Sequence, residues 1–522
     1  MNILTRRSIP LIPPDNPVRE QLRCYLVMEN DISNLEPRSV WHFFSRFCQI
    51  PHTSGNETGI GELLLKIAQE HGLDGVRTPA GNVILSCAGS PGLQNRPRVF
   101  FQAHMDMVGV KESGSAFDFS RDAIKTIITG NGFVTADGTT LGADDGIGMA
   151  LALAVMTDPA VRHPPLSAVF TVSEETDMGG ALALTREDIP GKTAINIDSE
   201  DIGEICIGCA GGISMDIEYT PEISEVPPNY GTIAITIENG KGGHSGMEVD
   251  NGSVNAATAL LTLICSLANE DIKVSLSSLE SGTVRNAIPG YGKAEIALPA
   301  ALISKALDSL EDMSGRLSEK YRNTDPGISV SIDRVPNKNI MMSAHDTSNI
   351  IKLRGLNTGV LERTPDGQPL TSCNLGRLVI DGGKVQACIL GRHATESGKE
   401  LLKSRIEKTV SEASAHICRE ESYPAWEPDY ESPLARIMAA TYRGLLAEEP
   451  RVTVIHAGLE CGLLKNLRPD LDIVSVGPNV FGAHTPDERV EITSVRTCYD
   501  WILKTLEKLC QDEVAENSGS AK

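Results

Sequence analysis

Four short apolar runs set the strongest limit on what this chain can fold into. Val99-Phe100-Phe101, residues 166–172, residues 193–197 and Ile473-Val474-Ser475-Val476 are each bounded by Gly, Pro or charge and are rich in β-branched side chains. Runs this short and this uniformly apolar predict strands buried on both faces rather than helices. Between the first two, Ile147, Leu151, Ala154 and Val155 recur at helical spacing and predict an amphipathic helix. Helices interleaved with buried strands imply an α/β sheet.

The middle of the chain follows a different pattern. Residues 232–238 alternate with period 2, as a strand with one solvated face does. A helical stretch over 255–268 and further strand candidates at 293–298 and 327–332 come next. Strand–helix alternation of the first kind returns after about residue 424, so one domain is expected to be inserted into another.

Composition narrows the partners. The 522 residues carry 47 Lys+Arg against 69 Asp+Glu, a formal charge of −22, which would repel nucleic acid or an anionic membrane surface. Aromatic residues are 4% of the chain, too few for a platform that stacks bases. The twelve cysteines are dispersed, several within apolar segments, which points to reduced core thiols. Cys206 and Cys209 alone have a redox or metal spacing, and no second pair follows to complete a zinc site. Arg6-Arg7 resembles the start of an export signal, but Pro10, Pro13 and Pro14 break the apolar stretch such a signal needs. No run approaches the roughly 18 apolar residues of a membrane span, so a cytoplasmic protein is expected, with no membrane and no nucleic-acid partner.

Side chains that bind metals follow directly on the buried strands. Residues 99–103 deliver His104 and Asp106, residues 169–173 deliver Glu174 and Glu175, and residues 194–197 deliver Asp198. Ile473 to Val476 is followed, after seven intervening residues, by His484, and Asp144-Asp145 precede the helix at Ile147. In open α/β sheets ligands bind beyond the carboxyl ends of the strands, so these residues are expected to converge. Each has a plainer alternative: a hydrogen-bonded His–Asp pair, a helix cap at Asp144 or Asp145, a solvated Glu-Glu turn, a loop histidine. Together they form a donor set suited to zinc, cobalt or manganese rather than copper(I) or an iron–sulfur cluster. Asp106, Asp144, Glu174, Glu175 and Asp198 in one cleft repel one another without cations, and two metals bridged by one carboxylate would use them. Of two adjacent glutamates, one can ligate while the other stays free as a base.

These residues, in the stretches 104–108, 142–150, 174–175, 196–200 and 241–246, resemble the aminoacyl-histidine dipeptidases, also called cytosol non-specific dipeptidases. That group belongs to the co-catalytic zinc peptidases that include carnosinase and aminoacylase. The likeness continues through 283–289, 456–462 and 484–488 and spans roughly residues 34–510. It implies a catalytic domain with a central mixed sheet flanked by helices, split by an inserted α+β lid or dimerisation domain. The divisions would be an N-terminal extension at 1–33, catalytic parts at 34–211 and 424–512, the lid at 212–423 and a disordered tail at 513–522.

The resemblance also implies roles. Asp144 would bridge two Zn²⁺ per subunit, a choice over Asp145 that spacing alone does not make, with Co²⁺ or Mn²⁺ able to stand in. His104 and Asp198 would complete one zinc, Glu175 and His484 the other. Asp106 would orient His104, and Glu174 would be the general base. His244 would serve a partner subunit's active site in a homodimer by stabilising the oxyanion. Asn286, Asn374 and Arg392 would hold the substrate's carboxylate and backbone. The expected activity is hydrolysis of unblocked dipeptides, including Xaa-His and β-alanyl-histidine. The alternatives are an N-acyl amino acid amidohydrolase of the same superfamily and a non-catalytic metal-binding protein of the same fold. One departure stands out: where the family has Glu-Glu-x-Gly, this chain has Glu174-Glu175-Thr176-Asp177, and a small local change is expected if that position needs positive φ.

Overall fold

Buried strands need hydrogen-bonding partners on both sides, and the four apolar runs find them in one another. The computed structural model describes residues 31–365, 367–381 and 383–511, so the expectations for 1–30 and for the tail at 513–522 lie outside the described residues. Val99–His104 lies between Leu166–Thr171 and Thr193–Asn196, parallel to both. Asp472–Ser475 continues the parallel set beside Thr193–Asn196. Val83–Cys87 and Asp74–Arg77 extend the other flank antiparallel, and Glu204–Cys209 and Arg451–Ile455 complete an eight-stranded mixed sheet. Every residue of Val99–His104 and of Leu166–Thr171 is buried, as strands covered on both faces must be.

The register places the site. His104 stands opposite Thr171, Gln102 opposite Asn196, and Asn196 opposite Ser475, so the carboxyl ends of the four parallel strands form one edge. A smaller sheet pairs Thr126–Ile128 with Phe133–Ala136, Phe133–Ala136 with Arg489–Glu491, and Arg489–Glu491 with Val480–Phe481. His484 sits in the turn between the last two strands.

The helix Ala143–Thr157 departs from the amphipathic expectation, because every residue from Asp145 to Met156 is buried. It packs against the strands Val99–His104 and Leu166–Thr171 and against the helices Arg38–Phe47 and Ile492–Leu509. Gly146, Gly148, Ala150, Ala152 and Ala154 supply small side chains where a surface helix would carry polar ones, so the helix is apolar all round and is covered all round.

The chain divides into two units. Among the described residues, one comprises 31–206 with Tyr430–Thr453 and 467–511; the other comprises Ile207–Asp429 and Val454–Asn466. The second unit is built on a nine-stranded sheet whose pairings are antiparallel. Its core joins that sheet to the helices Ala256–Asn269, Ile303–Tyr321, Ala344–Ile351 and Glu396–Glu412. The alternating run at 232–238 is the strand Tyr230–Glu238, and the helical stretch is Ala256–Asn269, capped by the Asn255 side chain on the Thr258 amide. The α/β fold with a mixed sheet flanked by helices is therefore borne out.

One run escaped the membrane argument. Val249–Ala268 is long and apolar enough to cross a bilayer by length and composition, with a mean hydropathy of 1.3. Its apolar side chains, Leu260, Leu261, Leu263, Ile264 and Leu267 among them, are buried in the core of the second unit, which accounts for the composition. Cys206 and Cys209 lie buried on the single strand Glu204–Cys209, and burial pushes the Cys209 thiol up to about 11.

Candidate metal centre

The site is built where the four parallel strands end. The His104 ring nitrogen Nδ1 lies 2.9 Å from the Asp106 carbonyl oxygen, which makes Nδ1 the protonated nitrogen and leaves Nε2 to ligate. Nε2 lies 3.0 Å from Asp144 Oδ1 and 3.4 Å from Asp198 Oδ1. On the other side, His484 Nε2 lies 3.2 Å from Asp144 Oδ2 and 2.9 Å from Glu175 Oε1. Asp144 thus turns one oxygen to each of two His–carboxylate pairs. Donor atoms of His104, Asp144 and Glu175 all fall within 4.8 Å of one another, as do those of His104, Asp145 and Asp198. Asp145 is buried, accepts from the His104 amide at 3.3 Å and caps the Gly148 amide at 3.1 Å. That is the capping and supporting place left open for it. The peptide bond between Asp144 and Asp145 is cis.

Electrostatics tests whether these residues suit a divalent cation. Burial opposes charge on Asp144, but the two imidazoles hold its carboxyl well below the usual range. Burial also opposes charge on the imidazoles. Asp198, Asp106 and Asp144 nevertheless raise His104, and Asp144 with Glu175 carries His484 up to about 11. Burial and then the Asp144 carboxylate push Glu175 up to about 7. Burial and then Asp198 raise Asp145 well above its ordinary value, and burial raises Asp198 despite the His104 charge. The cluster draws protons into the places where imidazole nitrogens and carboxylates face each other at about 3 Å. Divalent cations bound there would displace those protons, so the donor set fits them.

Asp106 does more than orient an imidazole. Its carboxylate accepts from the Ser54 hydroxyl at 2.7 Å, the Glu174 amide at 3.0 Å and the Glu175 amide at 3.1 Å, while its distance to His104 Nδ1 is 3.6 Å. Its main-chain carbonyl makes the closer contact to His104; its side chain chiefly anchors the turn that carries both glutamates. Burial pushes this carboxyl up, but His104, Ser54 and the Glu174 amide overcome it and bring it down to about 2. Glu174 and Glu175 open the four-residue helix Glu174–Asp177. The positive φ values of this turn fall at Ser173 (56°) and Met178 (55°), not at Asp177, so the departure from the family's glycine imposes no left-handed backbone there. The Asp177 side chain instead accepts from the Gly179 amide at 2.9 Å.

Three residues of this unit carry no role in the sequence reading yet touch the site's framework. Ser54 holds Asp106, Glu57 accepts from the Ser173 amide at 3.1 Å, and Glu488 accepts the amides of Leu141, Gly142, Ala143 and Asp144. Ser54 and Glu57 have capping-box spacing ahead of an apolar run, a signal that suggests only a helix start.

In the second unit, Arg392 is 3% exposed. Its Nη1 donates to the Tyr423 hydroxyl at 3.1 Å, Nη2 lies 3.4 Å from His244 Nε2, and Nε finds no partner among the described residues. His244 Nδ1 accepts from the Met247 amide at 3.0 Å and the Gly246 amide at 3.3 Å. The ring proton of the neutral imidazole is then on Nε2, so Arg392 and His244 turn donors toward the same space, an arrangement suited to an anionic oxygen. Asn374 Nδ2 donates to the carbonyls of Arg285 (3.1 Å) and Ala287 (2.7 Å), and Oδ1 accepts from Asn255 at 3.0 Å. Asn286 is exposed, and its carbonyl accepts the Ser245 amide at 2.8 Å. His456 lies 2.8 Å from the Ser372 hydroxyl; burial and then Arg392 push its ring down to about 4, so it is neutral at pH 7.

Comparison with known proteins agrees with the motifs. Residues 100–508 match the peptidase family M20/M25/M40. The cytosol non-specific dipeptidase of Escherichia coli (strain K12) is 37% identical over 484 residues, covering 91% of this chain and 98% of that protein. The solved structure of aminoacylhistidine dipeptidase from Vibrio alginolyticus superposes with a TM-score of 0.78 at 33% identity, covering 92% of this chain and 98% of the other. A tripeptidase from Staphylococcus aureus shares the fold at 16% identity, with a TM-score of 0.54 over 92% of this chain and 100% of its own. The sequence resemblance is borne out, and the chain belongs to peptidase family M20/M25/M40.

Proposed function

We propose that this protein is a dipeptidase that hydrolyses the peptide bond of unblocked dipeptides at a centre holding two Zn²⁺ ions. The observation that carries the reading is the two-sided Asp144, with Oδ1 toward His104 and Asp198 and Oδ2 toward His484 and Glu175. His104, Asp144 and Asp198 would hold one ion, and Glu175, Asp144 and His484 the other. Bound there, the ions supply Lewis acidity toward the scissile carbonyl and lower the pKa of water.

The chain's own residues do the rest. Glu174, next to the ligand Glu175 on a turn anchored by Asp106, accepts a proton as water adds to the carbonyl carbon. It returns that proton to the amine nitrogen as the C–N bond breaks. Arg392 is a buried cation suited to the free carboxylate of the substrate, which would favour dipeptides over longer chains. His244, from a partner subunit in a homodimer, would stabilise the oxyanion. Asn286 and Asn374 would hold the substrate beside Arg392, and Asn374 also fixes the backbone at Arg285 and Ala287. The cytoplasm is the proposed location; the E. coli relative carries the name of a cytosol enzyme.

The test is a substrate panel with the zinc-loaded protein. Release of amino acids from unblocked dipeptides, Xaa-His and β-alanyl-histidine among them, with no release from N-acetyl amino acids, is expected. Turnover of N-acetyl amino acids alone would assign an amidohydrolase instead.

A further inference from the structure

The first four amides of a helix have no partner within it, and a side chain close in sequence normally supplies one. Asp145 does so for the regular helix by capping the Gly148 amide at 3.1 Å, but Asp144 and Asp145 have non-helical dihedrals, so the amides of residues 141–144 lie ahead of the helix and need an acceptor of their own. Gly142 is required: its φ is +73°, and a Cβ there would stand 2.8 Å from the Met107 sulfur. The acceptor comes from the far end of the chain. Glu488, 2% exposed, receives Leu141 N at 2.7 Å and Gly142 N at 3.0 Å on Oε2, and Ala143 N at 2.7 Å and Asp144 N at 3.3 Å on Oε1. One carboxylate thus takes four consecutive amides, ending on that of the bridging residue.

Glu488 is equally tied to His484. The turn Gly482–Glu488 is closed by Thr485 N on the Gly482 carbonyl at 3.2 Å and by Glu488 N on the Thr485 carbonyl at 3.1 Å. The Thr485 hydroxyl donates to the same Gly482 carbonyl at 2.7 Å. Behind it, the Thr135 hydroxyl donates to the Glu488 carbonyl at 2.7 Å. His484, at φ +63°, projects from this turn to Asp144 Oδ2 and Glu175. The two ligands come from segments 340 residues apart, and Glu488 bonds one segment to the other beside the His484–Asp144 contact itself.

We infer that Glu488 is a positioning residue that holds Asp144 and His484 in one frame and thereby sets the affinity of the metal position formed by Asp144, Glu175 and His484. This rests on the two-ion reading above. A plain buttress would change stability and leave the two metal affinities in their original ratio.

Competitive Zn²⁺ titration of the full-length, metal-stripped protein separates the cases. The wild type is expected to bind two equivalents. E488Q, which keeps the shape but turns an amide NH₂ toward backbone donors, is expected to keep one equivalent and to weaken the second roughly 10- to 100-fold, with unchanged far-UV circular dichroism. E488D keeps the charge and shortens the reach; it is expected to show the same selective loss and decides the question if E488Q does not fold. A wild type that binds fewer than two ions would overturn the two-ion reading. A wild type that binds two, with both variants binding two at wild-type affinities or weakened equally at both positions, would overturn the role of Glu488.

Discussion

Asp106→Asn perturbs the centre without touching a proposed ligand. The carboxylate takes the Ser54 hydroxyl and the Glu175 amide on Oδ2 and the Glu174 amide on Oδ1. An asparagine of the same shape keeps one acceptor oxygen, so whichever way it sits, at least one backbone N–H faces an NH₂. Two routes give the size of the loss. A hydrogen bond to a charged group contributes roughly 1.5–3 kcal/mol. The fall of the Asp106 carboxyl from 3.8 to about 2 corresponds, at about 1.4 kcal/mol per pKa unit, to about 2 kcal/mol of native-state stabilisation. A depressed carboxyl contributes fully above its unfolded value of 3.8 and loses the contribution as pH falls through about 2, so at pH 7 all of it is present. Urea unfolding of the metal-free protein at pH 7 should show the variant less stable by about 2 kcal/mol, with faster hydrogen exchange at the Glu174 and Glu175 amides. A loss below roughly 0.5 kcal/mol with unchanged exchange would refute the reasoning, because that is the range of a substitution that touches nothing.

Three other outcomes follow from the same geometry. Glu174→Gln should retain bound metal and lose on the order of 10²- to 10⁴-fold in turnover, read by metal analysis beside dipeptide kinetics. Metal loading at pH 7 should release protons, because His484 is held up to about 11 and Glu175 sits at about 7 without metal. Calorimetry in buffers of different ionisation enthalpy reads the number, and affinity for Zn²⁺ should rise with pH as those sites empty. Gly477→Ala should destabilise by roughly 1–3 kcal/mol or more and weaken metal binding, since its Cβ would stand 1.6 Å from the Ser199 carbonyl oxygen, next to Asp198.

Much of the centre was legible because its chemistry lies at the ends of apolar runs. His104, Glu174, Glu175 and Asp198 each follow a buried strand within a few residues, and parallel pairing brings strand ends to one edge whatever their separation in sequence. What stayed hidden depends on contacts between distant segments. Nothing local to Glu488 indicates that it takes the amide of Ala143, 345 residues earlier, and Ser54 is 52 residues from the carboxylate it holds. Asp106 was expected to act on an imidazole through its side chain, but the main-chain carbonyl makes that contact more closely and the carboxylate goes to backbone amides. The sequence likewise gives no sign that Asn374 bonds the carbonyls of Arg285 and Ala287 and the Asn255 side chain. The buried helix after Asp144 was misread for a local reason: periodicity picks out the large apolar residues and overlooks glycine and alanine, which pack as closely while contributing little to the pattern.

The central claim is that Asp144 joins two ions, and anomalous scattering from crystals of the zinc-loaded protein tests it most directly. Two peaks roughly 3.5–4 Å apart are expected on either side of the Asp144 carboxylate, one beside His104 and Asp198 and the other beside Glu175 and His484. A single peak, or two peaks that do not share Asp144, would contradict it.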